Sequence, residues 1–158
     1  MPGPMGQLAF GGYDQNMVDY LVDKSVEALQ QAIATQDTVS LSYRKVDAGK
    51  FVTNRFVKDG PFDPFVRQLV FTKNDSTKAA FFTFSAHATC LNSKFMGLSG
   101  DYPKSLTQAL EARGYDFALF AAGTVGSHRP LSPGNTPEKV REYAPDFFRG
   151  ISGGKRAV

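Results

Sequence analysis

Tryptophan is absent, cysteine occurs once, histidine twice, and no apolar run comes near the length needed to cross a bilayer. Each scarcity excludes something. The lone Cys90 rules out an internal disulfide and a four-cysteine zinc cluster, and it leaves the redox compartment open. The two histidines, His87 and His128, form no His-x-x-x-His pair, and there is no Cys-x-x-Cys, so no local spacing announces a metal site. A transmembrane helix needs about 20 consecutive apolar residues, and none is expected. Met1-Pro2-Gly3-Pro4-Met5-Gly6 has neither a basic start nor an apolar stretch, so it does not read as a signal peptide. Net charge is only +3 and the Lys and Arg residues are scattered, whereas a nucleic-acid face needs them clustered. What is present fits a globular chain: 42% hydrophobic, 21% charged, with fourteen Phe to build the core. At 158 residues, one domain around one core is expected.

Residues 1–13, rich in Gly and Pro, read as a flexible arm. Asp14 is a plausible N-cap for a helix to about Ala34, because Val18, Leu21, Val22, Val26, Leu29 and Ile33 recur at helical spacing. Val39, Leu41 and Tyr43 then alternate with Ser40, Ser42 and Arg44, the period of a half-buried strand. Asp47 to Asn54 looks irregular, and Lys58 to Pro64 is dense in turn formers. Val66–Thr72 and Ala79–Ala86 read as strands joined through Asn74-Asp75-Ser76. The second is apolar on nearly both faces and belongs in the middle of a covered sheet. Pro103 opens a helix to about Arg113, stopped by Gly114. Phe117–Ala122 reads as a further buried strand. Gly123 to Asn135 reads as loop, and Thr136-Pro137-Glu138 starts a last helix that Pro145 should break or kink. Residues 150–158 read as a flexible tail. Strands alternating with helices favour a layered α/β unit with a mixed β-sheet covered by helices.

His87 and Gly123 each follow the C-terminal end of a buried strand, where open α/β sheets place their ligands. A strand terminus suits an imidazole that must be rigidly held yet face a cleft. On spacing alone, however, His87 reads more simply as a structural histidine bonded to a nearby carbonyl. The turn Gly123-Thr124-Val125-Gly126-Ser127-His128 has backbone N–H groups that can hold an oxyanion, or it is merely a tight loop. Ser127 beside His128 is no sign of a dyad, since neighbours in sequence rarely aim at each other, and Gly-x-Ser-x-Gly is absent. Cys90 is a candidate thiol, but its apolar surroundings point to a buried, inert one. Asp101 is expected to cap the helix that follows, with orientation of a metal-bound histidine as the sharper alternative.

Several blocks taken together resemble the neutral/alkaline (non-lysosomal) ceramidases. Thr53-Asn54-Arg55-Phe56, Asp59-Gly60-Pro61-Phe62-Asp63-Pro64 and Val66-Arg67-Gln68-Leu69 are similar to that family's asparagine-arginine and "DG..DP.V..L" blocks. Phe84-Ser85-Ala86-His87-Ala88-Thr89 resembles "F..HPT", and Ser99-Gly100-Asp101-Tyr102-Pro103 resembles "SADYPG". Leu110 to Gly114 and Phe120 to Gly126 follow as its "LE…F..GAAGD" run. The blocks stand in family order between about Asn54 and Gly126.

The resemblance implies an interior segment of a larger catalytic domain (over residues 14–149). It further implies a zinc-dependent amidase that cleaves ceramide-like lipids to fatty acid and sphingosine, one zinc being held by two His, a Glu and a Tyr. His87 matches the second zinc histidine. The first histidine belongs to an "HTHSGPG" block, and the Glu and Tyr belong to later regions; none of these is found here, so the missing remainder of the domain is an expected partner. Gly126 stands where the family carries its catalytic serine, and Ala88 replaces the proline after the histidine. No catalytic residue is therefore assigned, and the chain alone is expected to be inactive. Export of the parent is implied by the family alone. The alternative is a non-catalytic structural or binding domain that retains the fold.

Overall fold

The computed structural model describes residues 11–151. Their contacts separate two compact units on either side of the Thr38–Val39 bond. The predicted arm lies outside the described residues up to residue 10, and the predicted tail lies outside them from residue 152.

The first unit is one helix, α1 (Gln15–Ala34). Asp14 caps it as expected, with extended backbone and its carboxylate accepting the Asn16 N–H at 2.9 Å. Its apolar stripe is laid out as the spacing predicts, yet none of its residues is buried.

The second unit holds β1 (Ser40–Asp47), a 3₁₀ turn (Gly49–Phe51), β2 (Val52–Asn54), β3 (Phe65–Thr72) and β4 (Lys78–Phe84), followed by α2 (Asp101–Glu111) and β5 (Phe117–Ala122). A second 3₁₀ turn (Val125–Ser127), β6 (His128–Pro130) and α3 (Pro137–Ile151) complete it. One sheet has the order β1-β3-β4-β5, antiparallel except for the parallel β4–β5 pair. A parallel neighbour cannot be reached by a tight turn, so α2 forms the crossover between β4 and β5. The β3–β4 hairpin closes as predicted, with the Lys73 N–H donating to Thr77 O at 2.9 Å and Ser76 at φ 72°.

Cross-strand register explains the core. Val70, Ala80 and Ala118 pair across three strands, and Phe82 pairs with Phe120 across β4 and β5, so they share one face. That face packs on Tyr102, Leu106 and Leu110 of α2 and on Val140, Tyr143, Ala144 and Phe147 of α3. Aromatic rings fill the centre: Phe84 lies 5.2 Å from Phe147 and Phe51 lies 5.0 Å from Phe147, centroid to centroid. The opposite face carries Leu41, Phe71, Ala79 and Phe117 in one row and Tyr43, Leu69, Phe81 and Leu119 in the next.

The layered α/β architecture with a mixed sheet is as predicted, and β4 is central. Three local readings are corrected. β5 is not buried on both faces: among the described residues it pairs on one side only, and Phe117 and Leu119 are 56% and 48% exposed. The stretches read as irregular and as loop contain β2 and β6, which pair antiparallel through Val52–Pro130, Thr53–Arg129 and Asn54–His128. Three residues are too few to show a period, so neither was visible in the sequence. Pro145 does not break α3, which runs on to Ile151. An interior proline costs about 3 kcal/mol, and Tyr143, Ala144 and Phe147, all buried beside it, offset that loss.

Candidate functional site

The parallel pair β4–β5 ends level, Phe84 opposite Ala122. Two segments therefore leave the sheet side by side: residues 85–90 and residues 123–127. The Gly123 N–H donates to Phe84 O at 3.1 Å. A Cβ on Gly123 would stand 2.6 Å from Ser85 Oγ, so only glycine permits this approach.

His87 is half-buried. Its backbone is held on several sides. Its N–H donates to His128 O at 3.3 Å, its carbonyl accepts from Thr89 N–H at 2.8 Å, and the preceding Ala86 carbonyl accepts from the Tyr102 hydroxyl. Its imidazole makes no hydrogen bond to any described residue. The simpler reading, a ring bonded to a nearby carbonyl, is therefore not what the structure has. Thr89 and Cys90, just beyond it, line a concavity of about 390 Å³ with Arg129, Pro130 and Ser132.

Asp101 does not orient His87. With φ at 50°, its carboxylate accepts the N–H groups of Cys90 (3.2 Å), Leu91 (2.9 Å) and Tyr102 (2.7 Å). It is not the N-cap expected of it, since Gly100 holds that position without a side-chain cap; as the first residue of α2 it ties the loop after His87 to the helix. Cys90 is buried, as predicted; burial first, and then the Asp101 charge, push its thiol up to about 12. A thiol so rarely ionised is a poor nucleophile or ligand.

His128 is buried. Its Nε2 accepts the Asp63 N–H at 2.7 Å, and its Nδ1 lies 3.1 Å from Ser127 Oγ. Ser127 and His128 thus do meet, contrary to the expectation for sequence neighbours. A ring nitrogen that accepts a hydrogen bond holds no proton, so the proton sits on Nδ1 and is donated to Ser127. That nitrogen cannot take a proton from the serine, and the pair is not a nucleophile–base dyad. The turn also offers less to an oxyanion than its glycines suggest. The N–H groups of Gly123, Thr124 and Val125 are committed to Phe84 O, Ser85 Oγ and Gly123 O.

The hub of this region, which sequence reasoning missed, is Asp63. Arg67 Nη1 and Nη2 donate to its two carboxylate oxygens at 2.7 and 3.2 Å, and Ser85 Oγ donates at 2.9 Å. Burial raises its pKa, but the bonds from Arg67, Ser85 and the Phe65 N–H outweigh this and hold it below the ordinary value. The signals were an acid and a base four residues apart and the Asp63-Pro64 block itself. Asn54 of the first block is structural: its Oδ1 accepts the N–H groups of Phe56 and Val57, and its Nδ2 donates to Pro61 O.

Among the described residues no three His, Cys, Asp or Glu side chains converge as a metal site. A catalytic zinc needs about three protein ligands and an open position, so these residues do not fit a zinc ion by themselves. Of the two histidines, His87 is held through its backbone, and no hydrogen bond to a described residue engages its ring. Among the described residues no helix is long and apolar enough to cross a membrane.

No protein-family model matches this sequence, and no curated protein does. Solved structures do. Neutral ceramidase from Pseudomonas aeruginosa matches with a TM-score of 0.70 and 22% identity, over 90% of this chain and 27% of the ceramidase chain. A ceramidase complexed with C2 matches with a TM-score of 0.72 and 20% identity, over 94% of this chain and 27% of that one. At such identity the likeness is one of fold, and the sequence blocks implied that same fold: these residues are folded like a segment of neutral ceramidase.

Proposed function

We propose that this chain forms part of a ceramidase-like hydrolase that cleaves the amide bond of ceramide-like lipids, with His87 supplying one ligand to a zinc ion. The observation that carries this is the His87 ring itself. It follows the end of central strand β4 by three residues, its backbone is anchored, and the ring forms no hydrogen bond to any described residue. The order of sequence blocks and the fold likeness support the class of reaction. The other ligands and the nucleophile would come from outside the described residues, since Gly126 stands at the serine position and Ser127 faces a protonated nitrogen. The committed amides of the 123–125 turn favour a second reading for the chain on its own: a folded domain without chemistry.

Titrating zinc into ¹⁵N-labelled protein tests the first reading. The His87 ring resonances should respond, and the response should vanish in His87→Ala. Zinc binding that leaves His87 unmoved would refute the ligand assignment. Zinc-dependent hydrolysis of a fluorescent ceramide by these 158 residues alone would refute the claim that the site is incomplete.

A further inference from the structure

Asp63 lies on neither of the segments that leave the sheet, yet it reaches both by different atoms. Its carboxylate takes the Ser85 hydroxyl at 2.9 Å, and Ser85 Oγ in turn accepts the Thr124 N–H at 3.3 Å and the Thr124 hydroxyl at 3.2 Å. Its own N–H donates to His128 Nε2 at 2.7 Å, and the His128 carbonyl accepts the His87 N–H at 3.3 Å. The Arg67 fork holds both carboxylate oxygens, its Nη1 sharing Oδ2 with Ser85. As an ion pair this contact would be worth little, because Arg67 is 41% exposed along its side chain. Its value is geometric. A carboxylate clamped in two places has one orientation, and Ser85, 1% exposed, has no water to turn to instead.

We propose that Asp63 is the positioning residue of the candidate site, aiming the Thr124 turn through Ser85 and the His87 backbone through His128; the proposal rests on the reading of His87 given above. Asp63 touches neither His87 nor any reacting group. An amide in its place keeps one acceptor oxygen, and because Arg67 Nη1 and Ser85 already share Oδ2 that oxygen can hold both; alanine removes every side-chain acceptor while leaving the backbone N–H to His128.

Amide hydrogen exchange of the full chain, read by NMR, tests this without metal or substrate. Relative to Phe82 in the middle of the sheet, exchange at Thr124 should quicken by about tenfold or more in Asp63→Ala, because the buried acceptor in series is lost. Ser85→Ala should do the same, and the double variant should do no more than either alone. Effects that multiply in the double variant, or an unchanged Thr124, would overturn the proposal. If Asp63→Ala also deprotects Phe82, the milder Ser85→Ala carries the test by itself. On the other arm, His128→Ala should quicken exchange at His87 and weaken the zinc response of its ring. His128→Gln, which keeps an acceptor at the Nε2 position, should restore both. Failure of that rescue would overturn the second arm. A His87 ring that ignores zinc in the unmodified protein refutes the metal reading alone and leaves the exchange pattern standing.

Discussion

Replacing Tyr102 by Phe removes a single oxygen from the centre of the molecule and should be felt at the candidate site. Tyr102 is 0% exposed, and its hydroxyl donates to the carbonyl of Ala86, itself 1% exposed. Phenylalanine keeps the ring contacts, with Phe120 at 5.8 Å and Tyr143 at 5.4 Å, so no cavity larger than the hydroxyl opens. What remains is a buried carbonyl without its donor, at a cost of about 1–3 kcal/mol. For a unit of this size that corresponds to a fall in Tm of about 4–12 °C. Burial, and then the Cys90 and Asp101 charges, hold the phenol far above its ordinary pKa, so it remains a donor across the neutral range and the loss should not depend on pH there. Tyr143→Phe is the matched control. It removes a bond of the same kind, to Phe51 O at 2.9 Å, and should cost a similar amount. Only Tyr102→Phe should shift the His87 resonances, because only Tyr102 holds the peptide next to it. Thermal melts followed by circular dichroism and a ¹H–¹⁵N spectrum make the comparison. A Tyr102→Phe protein within about 0.5 kcal/mol of wild type, with His87 unmoved, would refute the view that this hydroxyl anchors the site.

Asp63, held below the ordinary carboxylate value of 3.8, contributes stability that is present above that value and is lost as pH falls through its folded pKa. Melts between pH 6 and pH 2 should show an acid-side loss that is flatter in Asp63→Asn, and parallel curves would contradict the assignment. The open face of the sheet predicts self-association, since Leu41, Tyr43, Phe117 and Leu119 are 59%, 44%, 56% and 48% exposed in adjoining rows. Sedimentation at rising concentration should show species heavier than 17.2 kDa, reduced by Leu119→Lys, and a chain that stays monomeric throughout would refute this.

Local order was legible where it depends on neighbours in the chain. The Asp14 cap, the helical stripe to Ile33, the β3–β4 turn and the end of α2 near Gly114 all follow from propensities acting over a few residues. The candidate site was legible in part. His87 stood out because a histidine soon after an apolar strand is visible from its neighbours in the chain, although distant groups, His128 and Tyr102, hold the backbone there. Asp63 did not, because its partners lie four, 22 and 65 residues away, and no local pattern links them.

What the sequence determined by itself is the alternation of strands and helices, the central position of β4, the inertness expected of Cys90 and the family blocks around His87. Tertiary structure alone decided that β5 pairs on one side only among the described residues, that β2 meets β6, that α3 passes through Pro145 and that Gly123, Thr124 and Val125 spend their amides internally. It also decided the tautomer of His128. The division has one physical cause. Backbone propensity and hydrophobic period are short-range and are written along the chain. Burial, pairing and the direction in which a proton is shared depend on which distant groups arrive at the same place.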